Sequence, residues 1–457
     1  MELAGKNILV VGLGITGVAV ARFLKNRGAM VTVTDQASEE ALTSYLSSIR
    51  NLGIRTELGQ HQLSTFESAD LIVLSPGVPH LIPPIKKAKG QGVPVLGEIE
   101  LASRFILEPI VAVTGTNGKT TTTALLGEML EQSGFKVFIG GNIGNPLINY
   151  VHQEEKADIV VVEISSFQLD TIDTFRPRVG VLLNISEDHL DRYADLNAYA
   201  EAKGRLFENQ QTGDIAVLNG ADGLVRILSK KIPSKKLFFN AHSDKEEGAT
   251  LSSQKIVLNL TGSLRTPEAV DLASVKISGK HNMENASAAC LAALACGGTF
   301  EGVQTALNHF NGFAHRLEYV ATINGARYYN DSKATNVDAV TRALEAFANP
   351  IILIMGGRDK GGRFQKLRDR ISRHTKKLIV LGEAKDIIQS ALGAITPTSA
   401  ASTMEDAVLQ AYQAAVPGDV VLLSPACSSF DMYSSYKQRG ENFYQAVEKL
   451  KCKDHDR

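Results

Sequence analysis

Residues Ile110 to Thr123 read IVAVTGTNGKTTTT: an apolar β-branched run, a tight glycine turn, a lysine, and a row of hydroxyl residues able to open a helix. A strand that feeds a helix through such a turn belongs to a parallel sheet with crossover helices. The turn is suited to a polyphosphate. Gly115 and Gly118 let backbone N–H groups face an anion with no Cβ in the way, Lys119 adds a positive charge, Thr120 offers a hydroxyl to Mg2+, and the helix brings its positive end. The spacing departs from the common P-loop, which has glycine where Val113 stands, so signalling and motor ATPases fit poorly.

Around this motif the chain reads as three α/β units. At 457 residues it is long enough for about three domains. KNILVVG, MVTVTD, DLIVLSPG and PVLGE alternate with helical stretches in the first. KVFIGG, DIVVVEIS and RVGVLLNIS continue the second after Ile110, followed by a small β insertion or edge from about Gly248 to Ser278 and a helix in GKHNMENASAACLAALAC. LEYVATI, ARYYNDS, PIILIMGG, KKLIVLGE and DVVLLSPA make the third. The expectation is a Rossmann-like N-terminal domain (1–107), a P-loop ATPase-like central domain (108–312) and a Rossmann-like C-terminal domain (313–457).

A formal net charge of -1 with interspersed acids and bases gives no electrostatic case for nucleic acid or a membrane surface. Cys290, Cys296, Cys427 and Cys452 lack metal-site spacing and suit a reducing cytosol without disulfides. The N-terminus runs straight into a strand and no apolar run approaches ~18 residues, so a soluble, cytoplasmic chain is expected.

GLGITG, Gly12 to Gly17, follows a strand and opens a helix, and Asp35 closes the next strand at the distance where a Rossmann domain holds a ribose. Alone, this reads as an NAD-dependent oxidoreductase; a UDP group presents the same ribose and diphosphate. SPGVP, Ser75 to Pro79, would face the same crevice. In the central unit Glu163 stands just past a buried strand, where a carboxylate can meet a cation held by the phosphate turn. Asn184, Asp188 and His189 follow the next strand on the same edge. Lys203 lies in AYAEAKGRLFE on an apparently amphipathic helix, where periodicity predicts a solvated face. In the third unit NDSKATN ends a strand with Thr335 or Asn336 as a helix cap, GGRDKGG carries Lys360, and SPACSSF follows another strand. Lys333, Lys360, Ser428 and Ser429 would form one pocket suited to small carboxylates.

Taken together, GLGITG, TGTNGKTTT, GGNIGNP, EISSFQL, EDHLDRY, AYAEAK, GKHNMENASAA, AHRLE, NDSKATN, GGRDKGG and SPACSSFD, in this order, make the chain resemble a Mur ligase from end to end. Within that family EISSFQL and SPACSSFD resemble the D-glutamate-adding member. The resemblance implies an ATP-dependent amide ligase that adds D-glutamate to UDP-N-acetylmuramoyl-L-alanine through an acyl phosphate in peptidoglycan precursor synthesis. It implies UDP-substrate contacts at Ile15, Thr16, Asp35, Ser75 and Asn142. ATP would be held by Gly115, Thr116, Asn117, Gly118, Lys119, Thr120 and Thr121, with Asn285 and Arg316 at the adenine and Asp331 at the ribose. One Mg2+ would use Thr120 and Glu163, and a second His189 and Lys203, the latter as a carbamate made with CO2. A free lysine, with pKa ~10.4, is cationic at neutral pH and cannot ligate Mg2+. D-Glutamate would meet Thr335, Lys360, Ser429 and Phe430. Lys119, His189 and Lys203 would be the catalytic residues of a monomer. A rival from another class is a nucleotide-binding regulator without turnover.

Overall fold

A computed structural model describes residues 1–457 apart from Ile143, Asp191, His242, Asp244, Lys245, Ser253, 262–268, 274–278, 311–313 and 456–457; for 452–455 it describes the backbone alone. The expected boundary at Gly312 and the Cys452 side chain therefore lie outside the described residues.

Three sheets organise the described residues. The first is parallel throughout and runs Arg55–Leu58, Met30–Asp35, Asn7–Val11, Leu71–Leu74, Val95–Gly97. Alternate residues of Asn7–Val11 feed two different cores: Ile8 and Val10 pack on one face, Leu9 and Val11 on the other. Such double burial requires the near-continuous apolar reading of these strands. The order reverses beside Asn7–Val11, which opens a crevice at the carboxyl ends of that strand and its neighbours.

Among the described residues the central sheet has nine strands, with Ile110–Thr114 flanked by Ile159–Glu163 on one side and Val179–Leu182 on the other. That adjacency brings Glu163 and Asn184 to either side of the phosphate turn. Val111, Val113, Val161 and Val181 are fully buried, each worth roughly 1.5–3 kcal/mol relative to exposure. Gly248–Ser252, Lys255–Asn259 and Ala269–Asp271 extend one edge, as the polar-apolar alternation implied. The third sheet places Ala326–Asn330, Val420–Leu423 and Ile351–Gly356 side by side, so the loops NDSKATN, SPACSS and GGRDKGG leave one edge together. Its outer strand Glu318–Ile323 is antiparallel, joined to Ala326–Asn330 through Asn324-Gly325, both at positive φ, which matches the twist of a two-residue hairpin turn.

The sequence reading did not single out four strands: Arg55–Leu58, Ile215–Asn219, Lys235–Phe239 and Thr398–Ala400. Arg55–Leu58 and Thr398–Ala400 are short and lie at sheet edges, half exposed, so they lack an apolar signature. Cys290, Cys296 and Cys427 carry free thiols, each pushed up to about 12 by burial. Among the described residues no helix is long and apolar enough to cross a membrane.

The first two units are joined through helix Glu98–Ser103, whose two glutamates behave oppositely. Glu100 is fully buried and accepts backbone N–H groups of Asp173, Thr174 and Phe175, the Thr174 hydroxyl and Arg104. Burial alone would raise its pKa, and these bonds outweigh burial and lower it. Glu98 accepts from Ile148 N at 2.7 Å, and its Oε2 is buried without a partner. Burial pushes its carboxyl from 4.5 up to about 7, against the backbone bonds from Ile148 and Leu147. Between those values the folded state binds more protons than the unfolded one, so stability falls as pH rises through the window. Glu98→Gln, which stays neutral and keeps the acceptor, is expected to raise Tm at pH 8 by a few degrees and to change it little at pH 5. The shift corresponds to at most about 3 kcal/mol. Equal melting of the two proteins at pH 8 would count against this.

Candidate active site

The first cleft, about 520 Å³, is walled by Gly12 to Thr16, Asp35, Ser75 to Pro79, and by Gly141 and Asn142 from the central unit. It brings together Ile15, Thr16, Asp35, Ser75 and Asn142. Helix Ile15–Asn26 starts here without a side-chain cap, leaving its first turn open to an anion. Asp35 has a bracing task the sequence did not reveal: Oδ2 accepts Leu13 N at 2.7 Å and Oδ1 accepts Ala37 N at 2.9 Å. Each oxygen keeps a second lone pair for a ligand hydroxyl. Sequence reasoning missed Gln36 and His61, which also line the cleft; His61 Nδ1 is 2.9 Å from the Thr34 hydroxyl.

Asn142 connects this cleft to the next centre. Its amide donates to Glu163 Oε1 at 2.8 Å and its backbone N–H to the Glu163 carbonyl. Glu163 is the last residue of its strand rather than the one just beyond. Its Oε2 is buried and has no hydrogen-bond partner, an arrangement that favours a cation.

The phosphate turn is held by Asn184, whose carbonyl accepts Thr116 N, whose Oδ1 accepts Asn117 N, and whose Nδ2 donates to the Asn117 carbonyl. Gly118, at φ +87, caps helix Lys119–Gln132. Lys119 folds back and donates to the carbonyls of Gly115 and Thr116 at 2.8 and 2.9 Å. Burial lowers its pKa, and Glu163 and Asp188 pull the other way.

Lys203 corrects the periodicity reading. It is 1% exposed, its Nζ donates to the Gly115 carbonyl at 2.9 Å, and it lies 4.5 Å over the Tyr199 ring. Burial, then the neighbouring Lys119, pushes its pKa well below the ordinary value. The helix is not amphipathic in the usual sense because Tyr199, Ala200, Ala202 and Lys203 all face inward. His189 sits at φ +55, its ring 4.7 Å from that of Phe167 and 6.4 Å from that of Tyr199 between centroids, and its Nε2 is 3.8 Å from Asp188. Among the described residues no three His, Cys, Asp or Glu side chains form a ready metal shell.

A second cavity, about 70 Å³, joins the central unit to the C-terminal one: Asn117, Gly118, Thr121 and Asn285 line it with Arg316 and Asp331. Asp331 accepts the Ser424 hydroxyl at 2.8 Å, and burial pushes its carboxyl up to about 7. Lys333, expected beside Lys360, lines this cavity instead, 3.9 Å over the Tyr436 ring, with burial and then Arg316 bringing its amine down to about 8. His281 and Arg342, also lining it, were not foreseen. Burial, then Arg342, holds His281 near 4, neutral at pH 7. The signal for Arg342 was present in helix Val337–Glu345, where Asp338 and Arg342 stand four apart and pair at 3.0 Å.

A third cavity, about 130 Å³, contains Thr335 and Lys360 together with Glu187, Asp188, Arg363 and Lys366. Asn336, not Thr335, caps helix Val337–Glu345. Ser429 and Phe430 fall outside this lining; Ser429 is buried and Phe430 is 64% exposed. Ser428 is turned to the Arg358 carbonyl. Beneath the loops lies Arg439, 2% exposed, which donates to the carbonyls of Ser332, Gly356, Cys427 and Ser428 and to the Ser332 hydroxyl. One guanidinium thus ties all three loops, a role no local pattern announced.

Phosphate turn, three carboxyl-edge clefts and shared walls define a multidomain α/β nucleotide-binding protein. The chain belongs to the Mur ligase family: it matches the Mur ligase MurD-like, N-terminal domain over residues 6–97, the Mur ligase middle domain over 113–293 and the Mur ligase, glutamate ligase domain over 315–427. It is 53% identical over 457 residues to a protein of Desulfosudis oleivorans named UDP-N-acetylmuramoylalanine--D-glutamate ligase, covering 100% of this chain and 99% of that one. A protein of the same name from Geotalea daltonii is 50% identical over 451 residues, covering 98% and 99%. The fold is shared with the UDP-N-acetylmuramate-alanine ligase of Thermotoga maritima (TM-score 0.61, 21% identity, 97% of this chain and 100% of that one). It is shared equally with the MurF ligase of Thermotoga maritima in complex with ADP (TM-score 0.61, 17% identity, 98% and 96%).

Proposed function

We propose that the chain is an ADP-forming ligase that joins D-glutamate to UDP-N-acetylmuramoyl-L-alanine in peptidoglycan precursor synthesis. The Asn142–Glu163 contact carries this reading: Asn142 lines the first cleft and touches the carboxylate beside the phosphate turn. A ligand anchored by its UDP end at Ile15, Thr16, Asp35 and Ser75 delivers its far end to that turn. Full-length similarity to relatives bearing the ligase name supports the substrate pair.

A carboxylate does not accept an amine, because oxide would be the leaving group. Its oxygen instead attacks the γ-phosphorus of ATP, the bond to ADP breaks, and an acyl phosphate forms. The amine nitrogen of D-glutamate then attacks the carbonyl carbon, the bond to phosphate breaks, and the nitrogen loses a proton. The backbone of Gly115 to Thr121 cradles the phosphates, and Lys119 turns from the Gly115 and Thr116 carbonyls to meet them. Asn285 and Arg316 take the adenine and Asp331 the ribose. Thr335 and Lys360 hold the amino acid, with Ser429 and Phe430 as outer contacts. His189 is a candidate base. Divalent metal fits the buried, unpartnered Glu163 Oε2; Thr120 and Glu163 would hold one ion, His189 and a carbamate on Lys203 another. Mg2+ when bound neutralises phosphate charge that otherwise repels the attack. Burial, then Lys119, lowers the pKa of Lys203, which favours the uncharged amine, the form that reacts with CO2. The chain works as a cytoplasmic monomer whose first domain ends near Leu107.

The test is ADP release with each co-reactant omitted in turn and a panel of D- and L-amino acids. ADP is expected only with ATP, the UDP-sugar peptide and D-glutamate together. Nucleotide binding without turnover under any of these conditions would leave the regulator reading instead.

A further inference from the structure

The cavity around Thr335 and Lys360 is already crossed by acids from the central unit. Asp188 Oδ1 lies 3.0 Å from Lys360 Nζ, and Asp188 Oδ2 accepts from Asn336 Nδ2 at 3.1 Å. The preceding residue, Glu187, meets Lys366 at 2.9 Å and Arg363 at 3.6 Å. Two successive carboxylates therefore occupy three cations of the C-terminal loops inside one cavity of about 130 Å³. With Asp338 and Asp359 also in the lining, acids outnumber bases by one, so the cavity has no net attraction for an anion until these pairs part.

We propose that Glu187 and Asp188 are an internal stand-in for the acidic amino acid, holding Lys360, Arg363 and Lys366 until the two carboxylates of the substrate displace them. This deepens the reading of Lys360 as the amino-acid cation and rests on it. The physical consequence is selection by charge. Asp188 is nearly buried (side chain 9% exposed) against a Lys360 that is 25% exposed, so stripping the pair without a replacement carboxylate leaves two poorly solvated charges. A ligand bringing carboxylates at both ends exchanges one set of ion pairs for another, whereas one with a neutral side chain cannot. The same contacts hold the second and third units together before substrate arrives, alongside Asn117 Nδ2 donating to Asp338 at 2.8 Å.

The experiment measures KM and kcat for D-glutamate at saturating ATP and UDP-sugar peptide in the full-length enzyme and in Asp188→Asn, Glu187→Gln and Lys360→Met. Removing a competitor lowers KM: about five- to tenfold for Asp188→Asn, and about two- to threefold for Glu187→Gln, whose partners are more exposed and whose pairs are weaker. Small-angle scattering of a substrate-free variant carrying both Glu187→Gln and Asp188→Asn is expected to report a larger radius of gyration than the parent, with the difference gone once all substrates or their unreactive analogues are bound. A D-glutamate KM that is unchanged or raised in both acid variants overturns the stand-in and makes the acids a brace for Lys360. If Asp188→Asn is inactive, Glu187→Gln decides. Lys360→Met separates the two failures: an unchanged KM there dismisses the amino-acid pocket itself, while a raised KM with no fall in the acid variants dismisses only the stand-in.

Discussion

Lys203→Ala is expected to lower kcat by at least about 10³-fold, the scale of losing a main charge stabiliser of a phosphoryl transition state, and millimolar acetate or formate is expected to restore part of it. The lysine is enclosed, reaches the phosphate turn through the Gly115 carbonyl, and has an amine whose charged form is opposed by burial and by Lys119. Two roles fit that position. As an ammonium it would simply brace Gly115; as a carbamate it would supply an anion where a cation must be held. The rescue experiment distinguishes them, because a small carboxylate fills the vacated space with negative charge, whereas methylamine would fill it with a donor. Rescue by methylamine and not by acetate would assign Lys203 to the brace. Activity close to that of the parent would remove the residue from the machinery altogether.

The second large effect is expected for Gly118→Ala, with ATP affinity falling at least about tenfold, or roughly 1.4 kcal/mol. Gly118 has φ +87, and a Cβ there would lie 2.2 Å from Asn285 Oδ1. Two costs follow: left-handed backbone strain, roughly 1–2 kcal/mol for a non-glycine residue, and displacement of Asn285 from the cavity it shares with Arg316 and Asp331. Gly134→Ala isolates the first, since Gly134 has φ +92 with nothing within 4 Å of the added atom. Calorimetric titration with a nonhydrolysable ATP analogue is expected to give near-parental binding for Gly134→Ala and weak binding for Gly118→Ala. Unaltered affinity in Gly118→Ala would mean that Gly118 and Asn285 do not form the nucleotide cradle.

The phosphate turn was legible because all its chemistry is contiguous: a β-branched strand, two glycines that relieve Cβ contact, and Lys119-Thr120 at a helix start. The α/β class was legible for a similar reason, since strands buried on both faces must be apolar along their length, as Val111, Val113 and Val161 are. Arg55–Leu58 escaped notice because a short edge strand has little such signature. Asn285, Arg316 and Asp331 were reached only through resemblance to a family; no local pattern in GKHNMEN, AHRLE or NDSK says that they share a cavity.

By itself, then, the order of residues determined the sheets, the phosphate turn and the candidates at the strand ends, because backbone conformation and burial period are set by neighbours a few positions apart. Tertiary structure alone decided that Lys203 is enclosed, that Lys333 faces the cavity of Asn285 rather than that of Lys360, and that Asp188 meets Lys360. Those outcomes depend on partners far along the chain, 88 residues for Lys203 and Gly115 and 172 for Asp188 and Lys360. The energy of a charge is set by the groups and the solvent around it once the domains have packed, and periodicity along one helix carries no record of either.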